Sequence, residues 1–148
     1  MVRALGVGSL TSYYRLHHAY PDQFPTTDYA KLAVKSAAVW EQIRRELPVP
    51  YFPNVSMGWD SPPRLEQNVE FKSGRHPYTP VIPGNTPKQF LKALERARDF
   101  IGETKRRPQA VTLNAWNEWT EGRYPEPDTV SGMGYLEAVR AVFPPRRW

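Results

Sequence analysis

Glu118 and Glu121 stand three residues apart, directly after the apolar run Val111-Thr112-Leu113 and among Asn114, Trp116, Asn117 and Trp119. Cleaving or forming a glycosidic bond requires one group to handle the proton of the departing oxygen. A second must act as base or nucleophile, and two carboxyls in unlike surroundings can divide those tasks. If the chain turns helically after a strand, both acids face one cavity, with the indoles as platforms. A surface turn bearing two solvated acids would use the same residue types.

Other residues suit the same chemistry. Trp59 and Asp60 can supply a stacking ring and a hydroxyl-binding carboxylate, and Arg64 can orient Asp60 or an anionic group on a ligand. Burial in the core competes for Trp59. Trp116 and Trp119 flank the acid pair and can shield it from water, Asn114 and Asn117 can orient the acids, and Tyr13 joins the substrate-binding candidates. His17, His18 and Asp22 invite a metal reading. Adjacent histidines, however, do not put two ligands on one face, and no His-Glu-x-x-His occurs, so no metal or other cofactor is expected. His76, in a proline-rich loop, is uninformative, and neither a phosphate-binding glycine loop nor a serine elbow is present.

Three strand-then-helix units must position these residues. The run Ala4 to Leu10 reads as a strand, followed by a helix with Tyr29, Leu32, Ala33, Ala37, Trp40, Ile43 and Leu47 on its apolar stripe, stopped by Pro48. Val49 to Ser56 reads as a second strand, of which Pro50 and Pro53 leave only part free to pair. Thr86, Pro87 and Gln89 announce a second helix, with Phe90, Leu91, Leu94, Ala97 and Ile101 buried. Ala110 to Asn114 is the third strand, and Tyr135 to Phe143 a last helix presenting Leu136, Val139 and Phe143. Such alternation predicts an α/β fold with a parallel sheet. Thr11 to His18, Gly58 to Arg64 and Trp116 to Glu121 each follow a strand, the edge where parallel folds place their sites.

The stretch from Val111 to Gly122, its continuation Arg123-Tyr124-Pro125-Glu126-Pro127-Asp128, the later Gly134 to Ala138, Ser9 to Tyr13 and Pro53 to Arg64 together resemble one family. This is the glycoside hydrolase family 99-like group, which includes WbsX-like glycosyltransferases of surface-polysaccharide loci. The resemblance covers nearly the whole chain. It implies a (β/α)8 TIM-type barrel in which Glu118 is the base and Glu121 the acid toward an α-mannoside-like glycan, the base taking the sugar's own 2-hydroxyl proton. A complete barrel takes about 250 residues, so the 148 residues here are expected to be its C-terminal portion, about three βα units in a single partial domain. Ligand groups on strands before Met1 would then be missing, turnover of the chain alone doubtful, and self-association through open edges expected. Pro125 stands where this group commonly carries leucine. Hydrolysis is the first expectation; the alternatives are a WbsX-like glycosyltransferase of lipopolysaccharide or O-antigen assembly and an inactive carbohydrate-binding fragment. A small open three-layer α/β domain also fits the periodicity alone.

The absence of cysteine excludes disulfides and thiolate metal sites. The net charge of +5 sits mainly in helical segments around Arg44, Arg45, Lys92, Arg96, Arg98, Lys105, Arg106 and Arg107, interspersed with acids. Solvated helix faces explain it, and a glycan rather than a nucleic acid is the expected partner. No run approaches the roughly 18 apolar residues of a membrane span. The Ala4 to Leu10 run lacks a convincing cleavage region, which favours a cytoplasmic product.

Overall fold

Glycine and proline break the predicted strands into shorter pieces. In the computed structural model, which describes residues 3–14, 23–103 and 109–145, the first segment opens with a 3₁₀ turn at Arg3–Leu5. Gly6 then takes a left-handed φ of 70°, and only β1 (Leu10–Thr11) is extended, so the strand expected over Ala4 to Leu10 is largely absent. Helix α1 (Tyr29–Glu46) follows. The second predicted strand divides into β2 (Tyr51–Phe52) and β3 (Asn54–Ser56) at Pro53, which has no N–H to donate. After a 3₁₀ turn at Pro62–Arg64 and an irregular connection come α2 (Pro87–Gly102), β4 (Thr112–Asn114), a 3₁₀ turn at Trp119–Glu121 and α3 (Gly134–Val142).

Both strand pairs are parallel, as the alternation of elements requires. β1 pairs with β2, and β3 pairs with β4 in the register Asn54–Thr112, Val55–Leu113 and Ser56–Asn114. The Pro53 carbonyl accepts from Thr112 N at 3.0 Å and the Asn114 carbonyl accepts from Met57 N at 2.7 Å, extending that ladder at both ends. Thr11 Oγ1 and Thr112 Oγ1, 2.9 Å apart, link the two pairs. The fold is therefore mixed α/β with parallel pairing.

The helices close over this sheet with their expected caps. Asp28 Oδ1 accepts from Lys31 N at 2.9 Å and Thr86 accepts from Gln89 N at 3.4 Å, each satisfying a first-turn donor of its helix. α1 buries Tyr29, Leu32, Ala33, Ser36 and Trp40 and ends at Leu47 before Pro48. α2 touches both α1 and α3. Having two neighbours turns its buried face to Phe90, Ala93, Leu94, Ala97 and Phe100, with the predicted Leu91 and Ile101 at the rim. α3 is likewise rotated by one residue from the expected stripe: Tyr135, Ala138 and Val142 are buried, while Val139 and Phe143 pack at the edge. The Tyr135 ring meets Phe90 edge-on at 5.8 Å and its hydroxyl donates to the Asn85 carbonyl at 2.5 Å, which fixes that rotation. Each fully buried side chain of Phe or Leu size, such as Phe90 and Leu94, contributes about 1.5–3 kcal/mol. Among the described residues no helix is long and apolar enough to cross a membrane.

Candidate functional site

The loop after β4 is shaped by its own backbone. Glu118 N donates to the Arg123 carbonyl at 3.1 Å and Arg123 N returns a bond to the Glu118 carbonyl at 3.0 Å, pinching off the 3₁₀ turn between them. Gly122 closes the turn with φ 60°, a region L side chains avoid, and a Cβ there would stand 3.0 Å from Asp60 Cβ. That close approach lets Asp60 N donate to the Glu121 carbonyl at 2.8 Å, tying the loop after β3 to the loop after β4.

The helical turn brings Glu118 and Glu121 to one cation. Arg64 Nη1 lies 2.5 Å from Glu121 Oε1, its Nη2 lies 3.3 Å from Glu118 Oε2, and its Nε donates to Thr120 Oγ1 at 2.9 Å. Arg64 thus serves the two acids rather than Asp60, whose side chain is exposed. Glu121 has a second guanidinium, Arg123, bound through Nη2 to its Oε2. Arg123 Nη1 donates to Asn114 Oδ1 at 2.6 Å, so Asn114 orients the cation and only through it the acid. The Arg123 guanidinium also stands over the Tyr14 and Trp59 rings at 4.6 and 4.7 Å. His76 Nε2 lies 3.9 Å from Glu121 Oε1.

The two acids therefore differ sharply. The Glu121 side chain is 5% exposed and held between arginines; that of Glu118 is 37% exposed, with Arg64 as its ion-pair partner among the described residues. Paired guanidiniums favour the anion, making Glu121 a fixed negative charge and Glu118 the acid more accessible to a ligand.

The remaining candidates separate. Trp59 is buried, its Nε1 donating to Thr79 Oγ1 at 2.9 Å, the core placement that competed with a stacking platform in the sequence. Trp119 is half-exposed, stacked on Tyr124 at 3.6 Å and donating through Nε1 to Glu126 at 2.7 Å. Trp116, Asn117 and Tyr13 are exposed, and none has a bond to either carboxylate. His17, His18 and Asp22 lie outside the described residues. Among the described residues no three His, Asp or Glu side chains gather as a metal-binding group. Sequence reasoning missed Arg123, His76 and Thr120 as parts of the site. Arg123 stood in the quoted motif, but its pairing with Glu118 across a five-residue span becomes visible only once the turn closes.

The chain is thus an α/β protein with parallel pairing that carries an acid and arginine cluster on the loops after the adjacent strands β3 and β4. The particular family follows from comparison: the profile of the family described as Glycosyltransferase WbsX matches residues 9–139, and the chain belongs to that family. The match lies with the transferase alternative drawn from the sequence rather than with the hydrolase expectation. Two similar curated proteins, each named "Uncharacterized protein WxcX" and from two strains of Xanthomonas campestris pv. campestris, are 31% identical over 90 residues. That alignment takes in 60% of this chain but 12% of either relative, so the chain corresponds to a small part of their length. No solved structure matches the chain significantly.

Proposed function

We propose that the chain carries the carboxylate pair of a glycosyl-transferring site in polysaccharide assembly, set within a larger (β/α)8-type framework. The observation that supports this most strongly is Arg64 bridging Glu118 and Glu121, which joins both acids through one cation. In this reading Glu118 is the base. Its accessible carboxylate takes the proton of a sugar hydroxyl as that oxygen forms its new bond to the anomeric carbon, while the bond from that carbon to the donor's leaving group breaks. Glu121, paired with Arg64 and Arg123, anchors the Arg64 guanidinium that also meets Glu118. For Glu121 to act as an acid it must first lose a guanidinium and gain a proton. Arg64 is the partner able to leave, with a side chain 39% exposed, whereas Arg123 is buried and fixed by Asn114. The sugar class implied by the family resemblance is α-linked and mannoside-like.

The test offers the chain a glycan acceptor with nucleotide-linked and lipid-linked sugar donors, and separately a glycan alone. Donor-dependent incorporation that disappears in Glu118→Gln supports transfer. Release of reducing sugar without a donor moves the reading to hydrolysis, and activity unaffected by Glu118→Gln removes the pair from the chemistry.

A further inference from the structure

Beside Gly122 lies a cavity of about 270 Å3, lined by Asp60 and Gly122 from the site loops and by Asn85, Tyr124, Asp128 and Tyr135 from elsewhere. Its lining differs in sign from the cluster around the acids. Arg64, Arg123 and His76 surround Glu121, whereas among the described residues no Lys, Arg or His lines the cavity. Two carboxylates do line it. Asp60 makes no side-chain hydrogen bond among the described residues. Asp128 binds Val130 N at 2.7 Å and Ser131 N through the same Oδ1, which leaves its other oxygen open.

The walls are also held in place. Tyr124 is stacked on Trp119 with 18° between the rings, and Tyr135 is fixed by its 2.5 Å bond to the Asn85 carbonyl. A Cβ on Gly58 would fall 2.7 Å from Asn85 Cγ, so the Asn85 amide is seated against backbone that only glycine leaves clear. Rigid aromatic walls beside the Asp60 carboxylate and the second Asp128 oxygen suit a ligand that is apolar on its ring faces and rich in hydroxyl donors around its edge. Anions are disfavoured, because uronate or phosphate would meet Asp60 and Asp128 with no cation among the described lining residues to offset them.

We propose that this cavity is a subsite for a neutral pyranose unit of the glycan, separate from the acid pair and sharing with it the Asp60-to-Glu121 backbone link. The inference deepens the transferase reading and rests on it for the identity of the ligand as a glycan. The cavity lies just under the roughly 300 Å3 at which small-molecule sites begin, a size that suits one ring rather than a nucleotide-linked donor.

The experiment measures binding of methyl α-mannopyranoside, methyl α-glucopyranoside and, as the charged arm, mannose 1-phosphate to the chain by titration calorimetry and saturation-transfer NMR. Saturable binding of a neutral glycoside, weakened about tenfold in Asp60→Ala by loss of hydrogen bonds to a charged acceptor, supports the subsite. Because the Asp60 side chain is exposed, Asp60→Ala should melt as the parent does, and a second variant, Tyr124→Leu, removes ring contact by an independent route. Absence of saturable binding, equal affinity in Asp60→Ala and Tyr124→Leu, or equal affinity for the phosphate would overturn the proposal. Turnover retained in Glu118→Gln alongside binding lost in Asp60→Ala would overturn the catalytic pair and leave the subsite standing.

Discussion

The carboxamide oxygen of Asn114 accepts a 2.6 Å hydrogen bond from the Arg123 guanidinium, joining the last residue of β4 to a cation nine positions onward. Through this bond the strand end determines where Glu121 is held, since Arg123 is the buried partner of that acid.

Removing Arg123 should therefore be costly. Arg123→Ala is expected to destabilise the fold by about 3–5 kcal/mol, because Glu121 keeps its burial and loses a counter-charge. Adding Glu121→Gln should restore part of the loss, and urea unfolding of the single and double variants measures the coupling. Strictly additive effects would contradict the pairing.

Gly122→Ala should destabilise by about 1–2 kcal/mol, given the left-handed φ of 60° and the approach to Asp60 Cβ. Gly102→Ala is the control, since its Cβ meets nothing within 4 Å. Thermal melts of the pair separate turn strain from general loss of glycine freedom, and equal shifts would show that the Gly122 turn is unstrained.

At the level of elements the sequence was readable where one local rule acts alone. The Thr86 cap with Pro87 at the first helical position, the stop at Pro48 and the break at Pro53 each follow from a hydrogen-bonding group present or missing within a few residues. The rotation of α3 was not readable, because Leu136 and Tyr135 satisfy the period equally well and only contact with Phe90 and Asn85 selects between them. Within the site the same division holds. Glu118 and Glu121 were legible as acids on a turn, whereas the part played by Arg64 and Arg123 depends on which loops meet in space. Trp59 illustrates the limit most clearly: a tryptophan after a strand serves as platform or core, and here Thr79, Tyr14 and Arg123 enclose it.

Alkaline pH should weaken the fold through its buried phenols. Burial pushes the Tyr51 phenol above its ordinary value of 10.0, opposed by its hydrogen bond with Ser12, and burial likewise raises Tyr135. A raised folded-state value means that the stabilisation is complete below about pH 10, where unfolded tyrosine is still protonated, and is lost as pH climbs through the raised values. Urea unfolding across that range should show falling stability with a shallower slope in Tyr51→Phe, and identical slopes would contradict the assignment.

Helix α1 offers a simpler check. Asp28→Ala removes the acceptor of Lys31 N and should cost about 1 kcal/mol, whereas Asp28→Asn should retain most of the cap. Equal stability of all three proteins would show that the cap contributes nothing.

The claim at the centre of this account is that Glu118, drawn beside Glu121 by Arg64, moves a proton during sugar transfer. The most direct measurement is the rate of donor-dependent sugar incorporation by Glu118→Gln, with circular dichroism and melting recorded on the same samples. A loss of about 10² to 10⁴ in rate with an unchanged melt is the expected result. Incorporation at the parental rate by a folded Glu118→Gln protein would contradict it.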